Sequence, residues 1–292
     1  MRFHYISTKT SQYPVAWMCC LLRVSRSGYY AWRSRRPSAR ENRDVYLTAV
    51  IRALFEEFKH SYGSPRIHDE LKAAGESVGR RRVIRLMQQE GLCALLPRRF
   101  RKTTDSNHDY EIAPNTVDRD FSPEAPNKLW AVDISYVKTW LGWAYLAVVI
   151  DLYSRRVVGW SVADHMRTEM TLEALQMAID LRNPGDGLLH HSDRGSQYCS
   201  DDYQDFLEAH NIDCSMSRRA NCWDNSCVES FFATIKKELI YRHAWPNQAV
   251  LTKAIEQYIN FYNARRRHST LGSCSPIEYE LRTASEDFRL AA

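Results

Sequence analysis

KLWAVDISYVKTWLGWAYLAVVIDLYSRRVVGWSVA, residues 128–163, is the stretch of sequence that decides the fold. It is rich in Val, Ile, Tyr and Trp, and its apolar segments are separated only by the short connections LGW and YSRR. Residues of these types favour strands, and such short connections join strands that run in opposite directions. The stretch therefore predicts a three-stranded antiparallel meander, with strands at residues 129–137, 144–153 and 156–163.

Beyond residue 163 the pattern alternates between amphipathic helices and short apolar strands. Helices are predicted at residues 171–181, 201–211, 226–242 and 247–263. Strands are predicted at residues 188–192 and 212–216. A meander followed by alternating helices and strands indicates an α/β domain in which a mixed sheet is flanked by helices. We assign this domain to residues 127–284 and treat residues 285–292 as a tail.

The front of the chain is basic and its pattern is helical. Residues 1–120 carry 22 Lys and Arg against 13 Asp and Glu, whereas residues 121–292 carry 18 against 22. A basic region joined to a mildly acidic one is typical of a module that binds a polyanion. The apolar pattern predicts helices at residues 14–22, 26–32, 46–58, 64–75 and 79–90, with basic linkers over 33–43 and 98–126.

The last two of these helices are joined by a turn that contains Gly, which indicates a helix-turn-helix DNA-binding domain over residues 44–97. A similar all-helical segment precedes it over residues 1–43. The candidate DNA contacts on the second helix are Arg80, Arg81, Arg82 and Arg85. A helical hairpin with a solvated arginine face is the alternative, and the excess of positive charge favours DNA.

Composition excludes several classes of protein. Hydrophobic residues make up 44% of the chain and charged residues 26%, which is typical of a globular protein that buries a core. The longest apolar run, WAYLAVVI at residues 143–150, is far shorter than the ~20 residues of a membrane-spanning helix. Eight cysteines without a CxxC pair argue against a zinc site. We therefore expect reduced thiols, no membrane partner and a cytoplasmic location.

Three acidic residues occupy unusual positions. Asp133 interrupts the first predicted strand, Asp193 follows a later strand, and Glu229 lies near the start of a helix. Carboxylates that converge from strand ends and an adjoining helix can bind hard divalent cations, and two such cations can cut a phosphodiester. Each residue also has a structural alternative: a hydrogen-bonded aspartate within a strand, a turn cap at Asp193, or a capping box between Ser226 and Glu229.

Lys236 and Asn225 lie on the same predicted helix or at its start. Lys236 is seven residues beyond Glu229 and on the same face, about 10.5 Å along the axis, where it can meet a phosphate. That spacing places it outside a shared metal site unless its side chain folds back. Asn225 is either the N-cap of this helix or a substrate contact.

For several further polar residues the sequence allows more than one role. His190 and His191 either contact DNA or metal or are ordinary residues at a strand end. Gln197, in the loop after Asp193, is a candidate DNA contact. Arg265, Arg266 and Arg267 are either the solvated basic end of the last predicted helix or a DNA contact.

Several long motifs, in a fixed order, resemble those of one protein family. The chain resembles a bacterial insertion-sequence transposase of the retroviral-integrase type, the catalytic protein encoded by the second reading frame. The motifs that carry the resemblance are VDISYV (132–137), DLYSRRVVGW (151–160), HSDRGSQY (191–198), NCWDNSCVESFFATIKKE (221–238) and YNARRRHSTLG (262–272). Departures from the family pattern are Val132 where Thr is common, Ala220 where Gly usually precedes Asn-Cys, and Cys227 in place of a small residue.

The resemblance implies a fold and an activity. It implies an RNase H-like integrase core with an Asp-Asp-Glu triad on Asp133, Asp193 and Glu229, and a basic residue on Lys236. The implied enzyme cuts the ends of its element with metal-activated water and joins a 3′ hydroxyl to target DNA. It would use two Mg²⁺ ions per site, with Mn²⁺ as a substitute.

The resemblance also implies partners. They are double-stranded DNA at the element ends and the target, further copies of the chain in a synaptic complex, and an upstream-frame protein joined by frameshifting. DNA binding would place the protein on the nucleoid. Two other functions remain open at this point: a catalytically silent repressor of its own element, and a free-standing nuclease of the same fold.

Overall fold

The computed structural model describes residues 1–94, 112–218 and 222–291, without the side chains of residues 222, 223 and 286–291. The predicted basic run at residues 98–102 and Ala220 therefore lie outside the described residues.

The chain begins with three short helices: α1 (Arg2–Thr8), α2 (Val15–Leu21) and α3 (Arg26–Ser34). They share a small core that includes Ile6 and Tyr29, both fully buried. Ser25 caps α3, because its hydroxyl accepts a hydrogen bond of 3.0 Å from the backbone N–H of Gly28. The predicted helix pair at residues 14–32 is confirmed, while α1 was not predicted.

Helices α4 (Ala39–Glu57), α5 (Ser64–Ala73) and α6 (Arg80–Gln89) form a second helical unit. Their apolar faces meet in one core: Leu47, Ile51, Phe55, Phe58, Tyr62, Ile67, Leu71, Val83, Leu86 and Met87. The predicted helix-turn-helix pair is confirmed as α5 and α6. The predicted linker over residues 33–43 is wrong in its second half, because a capping box between Ser38 and Glu41 starts α4 at Ala39.

Within the described residues, five strands form one sheet in the order β3-β2-β1-β4-β5. The strands are β1 (Leu129–Thr139), β2 (Gly142–Asp151), β3 (Arg156–Ala163), β4 (Leu189–Ser192) and β5 (Asp213–Met216). Strands β1, β2 and β3 pair antiparallel, which confirms the meander. Strand β4 pairs parallel with both β1 and β5, so the sheet is mixed as predicted.

Helices cover both faces of this sheet. The helices of the domain are α7 (Thr168–Arg182), α8 (Ser196–Cys199), α9 (Asp201–Ala209), α10 (Ser226–Glu238), α11 (Gln248–Ala264) and α12 (Pro276–Ala291). One face packs against α7 and α9, and the other against α10 and α11. Helix α7 approaches β3 so closely that a Cβ at Gly159 would lie 2.0 Å from the carbonyl oxygen of Ala174.

Two predicted boundaries of this domain are wrong. Helix α10 ends at Glu238 rather than at residue 242, because Leu239 leaves helical geometry (φ −127°, ψ −64°) and a short 3₁₀ turn follows. The predicted tail over residues 285–292 belongs to α12 as far as Ala291. Helix α12 is held to the sheet by Glu280, which accepts hydrogen bonds from Arg156 and Arg182.

The helical unit of α4 to α6 packs directly on the α/β domain. Phe261 of α11 contacts the apolar cores of both. Polar contacts continue the interface: Arg267 pairs with Glu70 at 2.6 Å, and Ser273 donates to Asp69 at 2.7 Å. No helix among the described residues is both long enough and apolar enough to cross a bilayer.

Candidate active site

The two aspartates come from neighbouring parallel strands. Strands β1 and β4 are paired up to Ala131 and His191, and Asp133 and Asp193 each lie two residues beyond that pair. Because parallel strands advance in step, the two carboxylates leave the sheet side by side. One oxygen of Asp193 accepts a hydrogen bond of 2.9 Å from the N–H of Gly195, so the predicted turn cap is present as well.

Glu229 comes from α10, which packs against β1. Electrostatics show that the three carboxylates are near one another. Burial raises the pKa of Asp133 well above its ordinary value, and the negative charges of Asp193 and Glu229 raise it further. The N–H of Ile134, which donates to Asp133 at 2.8 Å, and the charge of Lys236 oppose this shift only in part.

The start of α10 contradicts the capping-box alternative for Glu229. The N-cap position is Asn225, Ser226 is the first helical residue, and no side chain makes a capping hydrogen bond there. The side chain of Asn225 instead donates to the carbonyl oxygen of Val132 at 3.3 Å, next to Asp133. The prediction that Asn225 is the N-cap residue of α10 is therefore confirmed, although its amide ties the start of α10 to β1 instead of capping the helix.

Asp224 is a residue of this region that sequence reasoning missed. It is 1% exposed and accepts hydrogen bonds from the side chains of Asn115, Arg119 and Arg218. Hydrogen bonds from Arg218 lower its pKa far below the ordinary range for aspartate. The motif CWDN offered only a polar residue next to a helix start, and two of the partners of Asp224, Asn115 and Arg119, are too distant in sequence to be inferred.

The side chain of Lys236 lies beside two aromatic rings and interacts with Asp133. Its ammonium nitrogen is 5.5 Å from the ring centroid of Tyr136 and 5.9 Å from that of Phe232. Burial lowers the pKa of Lys236, and the charge of Asp133 opposes that shift. Lys236 is therefore within electrostatic range of Asp133, and its predicted contact with a DNA phosphate stays a prediction.

The two histidines before Asp193 are structural, and their interpretation as DNA or metal contacts is wrong. His190 is fully buried and its Nε2 is 2.9 Å from the hydroxyl of Tyr203. Burial lowers the pKa of His190 to about 3. His191 is also buried, and its two ring nitrogens contact Ser215 and the carbonyl oxygen of Asp224.

Asp133, Asp193 and Glu229 are side chains of the type that a hard divalent cation binds. Three carboxylates that repel one another are the oxygen ligands that Mg²⁺ and Mn²⁺ prefer. The arrangement is open, however: across residues 1–94, 112–218 and 222–291 no group of three or more His, Cys, Asp or Glu is placed to hold a metal ion. The residues thus fit such a cation by the chemistry of their oxygen ligands.

Comparison with known proteins identifies the family. Residues 123–222 and 210–276 match two models described as integrase core domain, and residues 41–100 match a model described as HTH-like domain. The transposase InsF of insertion sequence IS3A from Escherichia coli K12 is 39% identical over 96% of this chain and 98% of its own length. The chain belongs to the insertion-sequence transposase family.

A further relative agrees with this assignment, and a solved structure is similar to part of the chain. An uncharacterized 31 kDa protein of insertion element IS600 from Shigella sonnei is 42% identical to this transposase over 90% of the chain and 97% of its own length. The integrase catalytic core of HTLV-2, solved with magnesium, is 22% identical over 54% of this chain and 98% of that one, with a TM-score of 0.44. The predicted fold, an RNase H-like integrase core preceded by a helix-turn-helix region, is confirmed.

The arginines of α6 in this transposase divide into two pairs. Arg82 and Arg85 are half-buried, and both donate to the carboxylate of Asp44 at 2.7 Å, which fixes α6 against α4. Arg80 and Arg81 are exposed at the start of α6. The guanidinium groups of Arg82 and Arg85 are therefore engaged with Asp44 within the protein, and the four arginines stay predicted DNA contacts.

The arginines after α11 do not form the solvated basic end that the sequence suggests. Arg266 is 5% exposed and pairs with Glu238, so its prediction as a DNA contact is wrong. Arg265 pairs with Glu57 of α4 and Arg267 with Glu70 of α5. These arginines join the two folded units of the transposase.

Gln197 is likewise engaged within the protein. Its side-chain amide donates to the carbonyl oxygen of Met166 at 2.8 Å, which ties the loop after Asp193 to the segment before α7. A contact between this amide nitrogen and DNA would require that hydrogen bond to break.

Proposed function

We propose that this transposase cuts the ends of its insertion sequence and joins the resulting 3′ hydroxyl to target DNA at the site formed by Asp133, Asp193 and Glu229. The observation that carries the proposal is that Asp133 and Asp193 end neighbouring parallel strands while α10, which carries Glu229, packs on β1. Burial raises the pKa of Asp133, and the charges of Asp193 and Glu229 raise it further. A site of concentrated negative charge binds cations, and oxygen ligands favour Mg²⁺, with Mn²⁺ as a substitute.

Both steps are in-line displacements at phosphorus, so one site serves both. Asp133, Asp193 and Glu229 would hold two divalent ions, and such ions would supply activation of the attacking oxygen and stabilisation of the leaving oxygen. Asp133 and Asp193 hold the site from the sheet, and Glu229 completes it from α10. A carboxylate serves as a metal ligand in its ionised form, so a bound cation would oppose the raised pKa of Asp133.

The residues around Asp133, Asp193 and Glu229 help to hold these three side chains in position. The contact between Asn225 and Val132 holds the start of α10 against β1, and the hydrogen bonds of Asp224 to Arg119 and Arg218 fix the segment just before α10. Both contacts support the position proposed for Glu229 beside Asp133. Lys236 balances part of the negative charge at Asp133 and is placed to contact a phosphate that lies over the site.

DNA is delivered, in this proposal, by the helix-turn-helix region. Arg80 and Arg81 are exposed beside the first turn of α6 and are positioned to contact duplex phosphates. Since an element has two ends and each must be cut, the active assembly contains more than one copy of the chain. The proposal also includes fusion of the chain, by frameshifting, to a protein encoded by the upstream frame. It places the protein in the cytoplasm, bound to the nucleoid.

Glu229→Gln tests the catalytic assignment. We expect joining of an oligonucleotide that carries the element's terminal repeat to fall by roughly a hundredfold or more, because a neutral amide replaces an anionic ligand. The melting temperature should stay unchanged, since Glu229 makes no capping bond. Glu256→Gln, an exposed glutamate on α11, is the matched control. Joining at the wild-type rate by Glu229→Gln would remove Glu229 from the site.

The paired change of Arg80 and Arg81 to Ala tests DNA delivery. We expect duplex affinity to fall and the slope of log affinity against log salt to decrease by roughly two, one for each phosphate that an arginine no longer neutralises. The control is Arg82→Ala, which removes a hydrogen bond to Asp44 and should affect stability more than the salt slope. An unchanged salt slope in the double variant would show that the exposed arginines are merely solvated.

A further inference from the structure

The β1–β2 hairpin presents aromatic and basic side chains on one face. Tyr136 pairs with Tyr145 and Lys138 pairs with Trp143 in the antiparallel register, so all four side chains lie on the same side of the two strands. The rings of Tyr136 and Trp143 meet edge to face with centroids 5.2 Å apart. Trp143 is nevertheless 50% exposed, and Lys138 is exposed beside it.

Lys236 connects this hairpin face to the candidate active site. Tyr136 is three residues beyond Asp133 on β1, a distance of about 10 Å along an extended strand, so the two side chains leave opposite faces of the strand. The ammonium group of Lys236 lies 5.5 Å from the centre of the Tyr136 ring and interacts with Asp133. A path of side chains therefore runs from Asp133 through Lys236 and Tyr136 to Trp143.

We propose that the hairpin face of Tyr136, Lys138 and Trp143 binds an unpaired base of the DNA strand whose phosphate lies at Asp133. The inference rests on the proposed function and adds a subsite to it. An exposed tryptophan held at its edge by a tyrosine is a rigid surface on which any base can stack, and lysines beside it suit the adjoining phosphates. DNA separated from its complement is the occupant that offers both a flat ring and negative charge.

The spacing agrees with a base near the reacting phosphate. The strand distance from Asp133 to the register position of Trp143, opposite Lys138, is about 17 Å. A nucleic-acid strand advances about 3.4 Å for each phosphate. The stacked base therefore lies roughly three to five nucleotides from the reacting phosphate, close enough to require that the end of the duplex opens.

Binding without metal tests the subsite separately from joining. The full chain is titrated, in the presence of a chelator, with a flush duplex and with a forked duplex whose last few base pairs are mismatched. We expect the wild-type protein to prefer the forked DNA by roughly 5- to 100-fold, the range that stacking of one base supplies. 2-Aminopurine in the unpaired strand should lose fluorescence when it stacks on Trp143.

Variants of Trp143 decide the outcome. Trp143→Ala should lose both the preference for the fork and the quenching while keeping its affinity for the flush duplex, and Trp143→Phe should restore most of the preference. Tyr241→Ala, a change at a ring of equal exposure (51%) outside the hairpin, should behave as wild type. The proposal is overturned if wild-type protein shows no preference, if Trp143→Ala keeps it, or if Trp143→Ala weakens both duplexes equally. Loss of joining by Glu229→Gln has no influence on this result, so the two proposals fail independently.

Discussion

Two acidic groups of this transposase, the half-buried Asp133 and the buried Glu238, have opposite surroundings. Burial by itself raises the pKa of both. At Glu238 the hydrogen bonds and charge of Arg266 outweigh burial, so that the pKa of this carboxyl is lowered. Arg266 donates at 2.8 and 2.9 Å, and the hydroxyl of Tyr258 donates at 2.8 Å. At Asp133 the nearest charged groups include two further carboxylates, and the pKa rises well above its ordinary value.

The opposite pKa shifts distinguish a charged group that stabilises the fold, Glu238, from one that serves chemistry, Asp133. Glu238 lies where the core approaches the helix-turn-helix unit, and its charge is compensated within the protein. Asp133 lies in a group whose compensation by Lys236 is incomplete. A buried charge that lacks full compensation costs stability, and proteins retain such groups mainly at functional sites. Substitutions in the two regions should therefore have opposite effects on activity and stability.

Asp133→Asn should give the largest effect. We expect joining to fall by roughly a thousandfold or more, because metal ions contribute several kcal/mol to transition-state stabilisation and the amide is a poor ligand. The melting temperature should stay equal or rise, since a repulsive buried charge is removed. Joining assays in Mg²⁺ and thermal unfolding measure both. A destabilised protein with normal joining would reverse the assignment of Asp133.

Arg266→Ala should give the complementary result. Removing the guanidinium leaves Glu238 buried without its main partner, so the free energy of unfolding should fall by about 3–5 kcal/mol. Urea unfolding measures the change. Arg265→Ala, which removes an exposed partner of Glu57, is the control and should cost no more than about 1 kcal/mol. If Arg266→Ala lowered the free energy of unfolding no more than the Arg265→Ala control does, the buried pair of Arg266 and Glu238 would not be a structural element.

The comparison also explains what could be predicted from sequence. The meander, the α5–α6 pair and the positions of the three carboxylates depend on local pattern and motif, and the helices and strands appear where expected. The role of Arg266 depends on Glu238, whose approach is a consequence of folding, and in sequence Arg266 resembles a solvated helix end. The partners of Asp224, Asn115 and Arg119, are more than 100 residues away, so the local motif contained no sign of them.

Asp224→Asn should have an intermediate effect that connects the two regions. Loss of charge weakens the bonds from Arg218 and Arg119, each in a class worth about 1.5–3 kcal/mol, and we expect about 2 kcal/mol of stability to be lost. Because the lowered pKa of Asp224 stabilises the fold only while the group is ionised, the gap to wild type should narrow below about pH 4. Joining should also fall through displacement of α10. A pH-independent gap would contradict the ion-pair account.

The smallest effect should come from His268, which lies between the two folded units. Burial, with the charges of Arg266 and Arg66, lowers the pKa of His268 to about 3, so the folded protein holds it neutral. The unfolded chain takes up a proton near pH 6.5, so the stability from the neutral form is complete above that pH and is lost as the pH falls towards 3. At pH 5.5 the loss should be about 1.4 kcal/mol relative to pH 8.

His268→Gln should remove this share of the pH dependence, because glutamine does not titrate. Urea unfolding of both proteins between pH 8 and pH 5.5 gives the comparison, and His4→Gln, at an exposed position of α1, is the control. The control should follow the wild-type curve, while the His268→Gln curve should be flatter by the predicted amount. Parallel curves for wild type and His268→Gln would mean that His268 is protonated in the folded protein. In that case the interface between the two folded units would accept a second positive charge beside Arg266. The contrast between that interface, where charges are compensated, and the site of Asp133, where carboxylates repel one another, would then be weaker.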